Sequence, residues 1–193
     1  LQFLNVGCGP HYAEQWVNTD LFQDEITKPD IVVSPDNPYP FSDNYFDAIY
    51  MGHILEHMPW NDVDKFIKDM MRIAAPGAPI LIVGPDTKSA IDLYADGGMT
   101  WEILESIIEH QHFNFQDGRQ NQHWDGASHF WNCSGERICM LLEDIGIKEY
   151  KPATQEMLKY PHVDGWYDFD NYIFWPVVAK VNWQFGILFK NNK

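Results

Sequence analysis

Positive charge is what this chain has least of. Thirteen lysines and arginines stand against 28 aspartates and glutamates, a formal net charge of −15, and no basic cluster occurs anywhere. Nucleic-acid binding draws most of its affinity from phosphate contacts made by a basic face, so this balance argues against a nucleic-acid partner. Cysteine is almost as scarce. Cys8, Cys133 and Cys139 form an odd, sparse set that suits a reducing compartment rather than a disulfide framework. No apolar run approaches the roughly 18 residues a membrane helix needs, and the first residues lack the charged-then-apolar pattern of a secretion signal. The expectation is a cytoplasmic protein with no membrane partner. Repeats, low-complexity tracts and interdomain linkers are also missing, so the 193 residues read as one domain, long enough to bury a core. Nothing in the sequence sets an oligomeric state.

What is present is concentrated near the start. The strand-like run Phe3-Leu4-Asn5-Val6 ends in Gly7-Cys8-Gly9-Pro10, and a second run, Trp16-Val17-Asn18-Thr19, ends in Asp20. Glycines at such a bend lack a Cβ, so the backbone can take positive φ and a ligand can approach the main chain. Ligands of open parallel sheets bind beyond the carboxyl ends of the strands. A carboxylate at the end of the neighbouring strand can accept hydrogen bonds from both hydroxyls of a ribose. A dinucleotide cradle would need a third glycine where Tyr12 stands, and an acid about twenty residues on. Asp20 follows Gly9 by only eleven positions.

Further on come Pro40-Phe41-Ser42-Asp43-Asn44-Tyr45-Phe46-Asp47-Ala48-Ile49-Tyr50, His53-Ile54-Leu55-Glu56-His57, Arg72-Ile73-Ala74-Ala75-Pro76-Gly77 and Ile82-Val83-Gly84-Pro85-Asp86. Together with the glycine bend and Asp20, these segments resemble, in kind and order, the class I S-adenosylmethionine-dependent methyltransferases of the small type 11 group. The resemblance covers residues 3–86 and thins after residue 90. It implies an α/β, Rossmann-like sandwich on a mostly parallel seven-stranded sheet with an antiparallel last strand. S-adenosylmethionine is the implied cofactor, contacted by Gly7, Cys8, Gly9, Asp20 and Leu21, by Asp36 and Asn37 near the adenine, and by Met51 and Gly52. Asp36-Asn37-Pro38-Tyr39 does not match the box of amino-group methyltransferases, since it lacks a second proline and follows the wrong strand.

Periodicity supplies the rest of the layout. The link from Gly9 to Trp16 is too short for an ordinary parallel crossover, so the first helix should shrink to a turn or two around His11–Gln15. Asp30–Val33 reads as a third strand and Phe46–Tyr50 as a fourth. Asn61 should cap a helix whose apolar stripe is Val63, Phe66, Ile67, Met70, Ile73 and Ala74, ended by Pro76-Gly77. Pro79–Gly84 is apolar throughout, as a strand buried on both faces should be. Thr87–Tyr94 reads as a short helix, Thr100 as the cap of another, and Ser134 as the cap of a third that stops at Gly146. Ile147–Tyr150 should be a sixth strand and Tyr172–Val181 a seventh, with Trp183–Phe189 folding back onto it. Residues 96–131 follow the fifth strand, where the resemblance implies an insertion capping the substrate pocket.

Methyl transfer from a sulfonium asks for alignment, an acceptor pocket and at most one base. His53, leaving the fourth strand, is the expected base, because imidazole titrates near neutrality and can take a proton from a hydroxyl. Glu56 and His57 are expected to be structural. In the insertion, His123, Trp124, His129 and Trp131 are the expected substrate-binding residues. His110, His112, His123, Asp125 and His129 match no short metal-ligand motif, so no metal is expected. The implied reaction is methylation of a small-molecule or glycan-like acceptor at oxygen. Two other readings remain open: a non-catalytic S-adenosylmethionine-binding module and a nicotinamide-dependent oxidoreductase or epimerase.

Overall fold

A computed structural model describes residues 1–34, 37–109, 131, 133–152 and 184–192. Seven strands form one sheet in the order β3-β2-β1-β4-β5-β7-β6. They are β1 (Phe3–Val6), β2 (Val17–Asp20), β3 (Ile31–Val32), β4 (Ala48–Gly52), β5 (Pro79–Pro85), β6 (Tyr150–Pro152) and β7 (Gln184–Lys190). Strands β1 to β5 pair in parallel, whereas β7 runs antiparallel to both β5 and β6. The helices are α1 (Trp60–Ile73), α2 (Thr87–Ala95), α3 (Trp101–Glu109) and α4 (Gly135–Asp144).

Side chains alternate across a strand, so each strand feeds two cores. Leu4, Val6, Ile49, Met51, Ile80 and Ile82 enter the larger core, which also holds Val63, Ile67, Met70 and Ile73 of α1 with Ile138 and Leu142 of α4. Tyr50, Leu81 and Val83 join a smaller core with Ala13 and Trp16, and Phe3 packs against it. The connection from β1 to β2 therefore supplies part of the second core in place of a helix. It contains turns and no helical turn between His11 and Gln15, a more complete reduction than the sequence suggested.

Several boundaries differ from the sequence expectation for local reasons. Helix α1 starts at Trp60, and its N-cap is Pro59 rather than Asn61, with no side-chain capping bond. The φ of −55° at Pro59 leads directly into the helix, and proline has no N–H to satisfy there. Asp86 and Ser134 do cap their helices, accepting from the N–H of Ser89 and Arg137. The sixth strand begins only at Tyr150, because Ile147 is buried in the core and pairing with β7 starts at Tyr150–Phe189. Trp183–Phe189 was expected to fold back onto Tyr172–Val181, which lies outside the described residues; Gln184–Lys190 lies in the main sheet, antiparallel to β5 and β6 on either side.

Two polar side chains fasten segments flanking the sheet to α1. Arg72 donates from Nη1 to the Phe41 carbonyl at 2.8 Å and from Nη2 to the Tyr39 carbonyl at 2.9 Å, while Nε reaches Asp69 at 2.7 Å. Asn191 is fully buried and donates to the carbonyls of Met71, Ala74 and Ala75, closing the C-terminal end of the helix.

Candidate functional site

The site forms where β1, β2 and β4 end. Gly7 and Gly9 have φ of +64° and +50°, the left-handed values their lack of a Cβ permits. A Cβ on Gly7 would lie 3.0 Å from Ile54 Cδ1, whereas one on Gly9 would meet nothing within 4 Å. The backbone at Gly9 thus faces open space that a ligand can enter. Asp20 leans back to the bend: its Oδ2 accepts the Gly9 N–H at 2.7 Å and its Oδ1 accepts the Phe22 N–H at 3.2 Å. A carboxylate has about four lone-pair positions, so two remain for incoming donors.

The bend is held by a network the sequence reading missed. Asn5 and Asn18 sit opposite each other in the β1–β2 register, both buried. Asn5 Nδ2 donates to Asn18 Oδ1 at 2.9 Å and to the His11 carbonyl at 3.1 Å. Asn18 Oδ1 also accepts the Ala13 N–H at 2.8 Å, while its Nδ2 reaches the carbonyls of Ala13 and Trp16. Asp30 accepts from the Asn18 backbone N–H at 2.8 Å and from the Tyr12 hydroxyl at 2.8 Å. The available signal was an asparagine inside each of two otherwise strand-like runs, where a buried amide must find partners.

Cys8 is buried, and burial together with the charges of Asp20 and Asp30 pushes its thiol up to about 12. The thiol therefore stays protonated at neutral pH. Beneath the site, burial raises the Tyr39 phenol, which faces Thr19 and Asp20. Leu21 is partly buried against the larger core, and Asn37 is exposed, its N–H directed to the Ser34 carbonyl at 3.3 Å. Met51 is fully buried, so it can line the site only with its main chain. A Cβ on Gly52 would run into the Tyr50 ring, which fixes glycine at the end of β4. Asp36 lies outside the described residues.

His53 follows directly, with a left-handed φ of +53°. A non-glycine residue in that region costs about 1–3 kcal/mol, and such strain gathers at functional sites. Its backbone N–H is held by the Val83 carbonyl at 2.9 Å. Its Nδ1 lies 3.2 Å from Oε1 of Glu56, a residue only 1% exposed on the single 3-10 turn Leu55–His57. Burial, and then the neighbouring His53, lowers the pKa of His11 across the pocket.

Trp131 does not present its polar edge to a ligand. It is buried, its indole N–H donates to the Leu55 carbonyl at 3.1 Å, and its ring meets Trp60 edge-on at 4.7 Å. The Arg137 guanidinium lies 3.9 Å from the Trp60 ring centre. The residue anchors the turn that carries Glu56. His123, Trp124 and His129 lie outside the described residues, as do His110, His112 and Asp125.

The family model for a methyltransferase domain matches residues 4–82, the span that builds this site. The chain shares the fold of solved methyltransferases, and the family match is confined to the part of it that carries this site. The cofactor of that domain is S-adenosylmethionine, and the open backbone at Gly9 beside a carboxylate with spare acceptor positions fits it. The solved S-adenosylmethionine-dependent methyltransferase from Archaeoglobus fulgidus superposes with a TM-score of 0.57 at 13% identity, over 98% of this chain and 85% of that one. Norajmaline N-methyltransferase of Rauvolfia serpentina is 46% identical over 44 residues, 23% of this chain and 14% of that protein. Tocopherol O-methyltransferase of Arabidopsis thaliana is 48% identical over 44 residues, 23% of this chain and 12% of that protein. The matched stretch is thus a small part of either curated relative.

Proposed function

We propose that the domain transfers a methyl group from S-adenosylmethionine to a hydroxyl of a small-molecule or glycan-like acceptor. The observation that supports this reading is the joint at the strand ends, where Gly9 N–H and Asp20 Oδ2 meet at 2.7 Å beside unfilled space. Gly7, Cys8 and Gly9 offer main chain to the amino-acid end of the cofactor, and Asp20 with Leu21 takes the ribose. Asp36 and Asn37 flank the adenine, and Met51 and Gly52 close the site with their backbone. When bound, the cofactor supplies an electrophilic methyl whose C–S bond breaks with its electron pair going to sulfur.

His53 is the base in this reading. Its ring stands at the exit of β4, and its Nε2 is shielded from bulk water, so the acceptor hydroxyl must enter the same covered pocket to meet it. The two curated relatives are named for small-molecule acceptors but divide between nitrogen and oxygen. The choice of oxygen therefore rests on His53, since a neutral amine can attack without losing its proton first. Residues 96–131 are assigned to the acceptor cap in this reading, with His123, Trp124 and His129 as its substrate-binding residues and Trp131 as its root. A reducing, cytoplasmic setting goes with three cysteines that are all free, and among the described residues no helix is long and apolar enough to cross a membrane.

Calorimetry with S-adenosylhomocysteine and with NAD tests the reading. Binding of the first and not the second is expected, with Asp20→Ala weakening it at least tenfold, about 1.4 kcal/mol and the lower end of a charge-assisted hydrogen bond. Binding of NAD alone would reverse the assignment. Binding of the homocysteine product with no turnover of phenols, sugars or amines would instead favour a non-catalytic module.

A further inference from the structure

We infer that Glu56 is a positioning residue for His53, setting which ring nitrogen is left bare to receive the acceptor's proton. The inference rests on the methyltransferase reading for its chemistry but not for its geometry. Sequence alone suggests a scaffold role for the Leu55-Glu56-His57 turn; the structure gives its acid a specific neighbour. Glu56 is almost completely buried, and its Oε1 lies 3.2 Å from His53 Nδ1, three residues back. A buried carboxylate is costly unless it is paired, and at 3.2 Å its negative charge favours a proton on the ring nitrogen beside it. Nδ1 then carries the proton and Nε2 keeps its lone pair. Imidazole has one tautomer of each kind, so the partner of one nitrogen decides the state of the other.

The surroundings reinforce the arrangement. His53 has a left-handed φ and its N–H is held by the Val83 carbonyl, which fixes the backbone from which the ring extends. Trp131 holds the Leu55 carbonyl, fixing the turn on which Glu56 rides. Among the described residues, the titratable groups that respond to the pair include His11, through His53, and Cys133, through Glu56 and Asp86 with Arg137 opposing. Burial keeps the Cys133 thiol protonated, so it does not compete for the role. In the transfer, the hydroxyl proton passes to Nε2 as the oxygen–methyl bond forms. The ring becomes an imidazolium with a carboxylate at its back.

The test reads tautomers by nitrogen-15 NMR on the histidine-labelled chain, with His53 assigned through His53→Gln. At pH 8 the unsubstituted protein is expected to show His53 protonated at Nδ1 and bare at Nε2. Glu56→Ala should shift it toward the Nε2-protonated form that predominates in free imidazole side chains. An Nε2-protonated His53 in the unsubstituted chain would overturn the inference, a result that needs no variant to fold. So would an unchanged tautomer in a folded Glu56→Ala. S-adenosylhomocysteine affinity is expected to stay within threefold in Glu56→Gln; a tenfold loss would instead make Glu56 part of the cofactor clamp. Failure of the unsubstituted chain to bind S-adenosylhomocysteine would refute the methyltransferase reading and leave the tautomer result to judge the pair by itself.

Discussion

Two crossovers of the same parallel sheet are built in opposite ways. The link from β4 to β5 runs through α1, whose Val63, Ile67, Met70 and Ile73 are all fully buried. The link from β1 to β2 has no helix and is held by Asn5, Asn18 and Asp30, with Cys8, Ala13 and Trp16 contributing its buried apolar surface. The first satisfies its backbone internally and spends its side chains on burial. The second spends its side chains on satisfying backbone, and so leaves the main chain of Gly9 facing open space. A helix running from Gly9 onward would have committed some of those groups to its own ladder. In the proposed reading the polar crossover supplies the cofactor surface, and the apolar one supplies the stability beneath it.

That division can be broken from either side. The largest effect is expected at Ile67, which is fully buried between α1 and the sheet. Ile67→Ala should cost about 2–5 kcal/mol, toward the upper end because the surroundings cannot readily collapse. Urea unfolding at pH 7 and at pH 5 should give the same loss, and S-adenosylhomocysteine affinity of the folded protein should not change. Asn18→Leu should cost less, roughly 2–3 kcal/mol, since it orphans the Ala13 N–H and two carbonyls that partly regain water. Here ligand affinity should fall as well, because the loop that loses its ties carries the bend. If Asn18→Leu lost stability and kept affinity, the two crossovers would not differ in the way argued.

The apolar crossover was the easier one to read. The 3.6-residue stripe of α1 and the unbroken apolar run of β5 follow from local pattern, and the structure repeats them nearly residue for residue. The alternate burial of Phe185, Ile187 and Phe189 marks a strand, but its pairing with β5 and β6 could not be read locally, because those contacts are distant in sequence. In the polar crossover, Gly7, Gly9 and Asp20 stood out because their chemistry is unusual at such positions. Asn5 and Asn18 did not, since an asparagine's role depends on which backbone groups it faces after folding. Glu56 was read as scaffold for a similar reason. Nothing local reveals that a carboxyl group on a single helical turn points back at the histidine three residues earlier.

The smallest effect separates the crossovers by pH. Burial works against the charge on Asp30, but hydrogen bonds from the Asn18 N–H, its Nδ2 and the Tyr12 hydroxyl outweigh it and hold the carboxyl below its ordinary 3.8. Its contribution is therefore complete above that value and disappears as pH falls through the lower folded pKa. Since Asp30 is exposed, solvent screening limits the gain to under about 1 kcal/mol. His11 works in a second window. Burial, and then His53, lowers its pKa from 6.5, so the unfolded chain takes up a proton first and stability declines as pH drops below that point. Urea midpoints measured from pH 8 to pH 3 should show both steps in the unsubstituted chain. His11→Asn should flatten the upper step, and Asp30→Asn should lower stability at pH 7 by an amount that shrinks toward zero below pH 3.8. Both steps should survive in Ile67→Ala, because the helix-built crossover contributes neither; their disappearance in that variant would show that the pH response belongs to the whole fold.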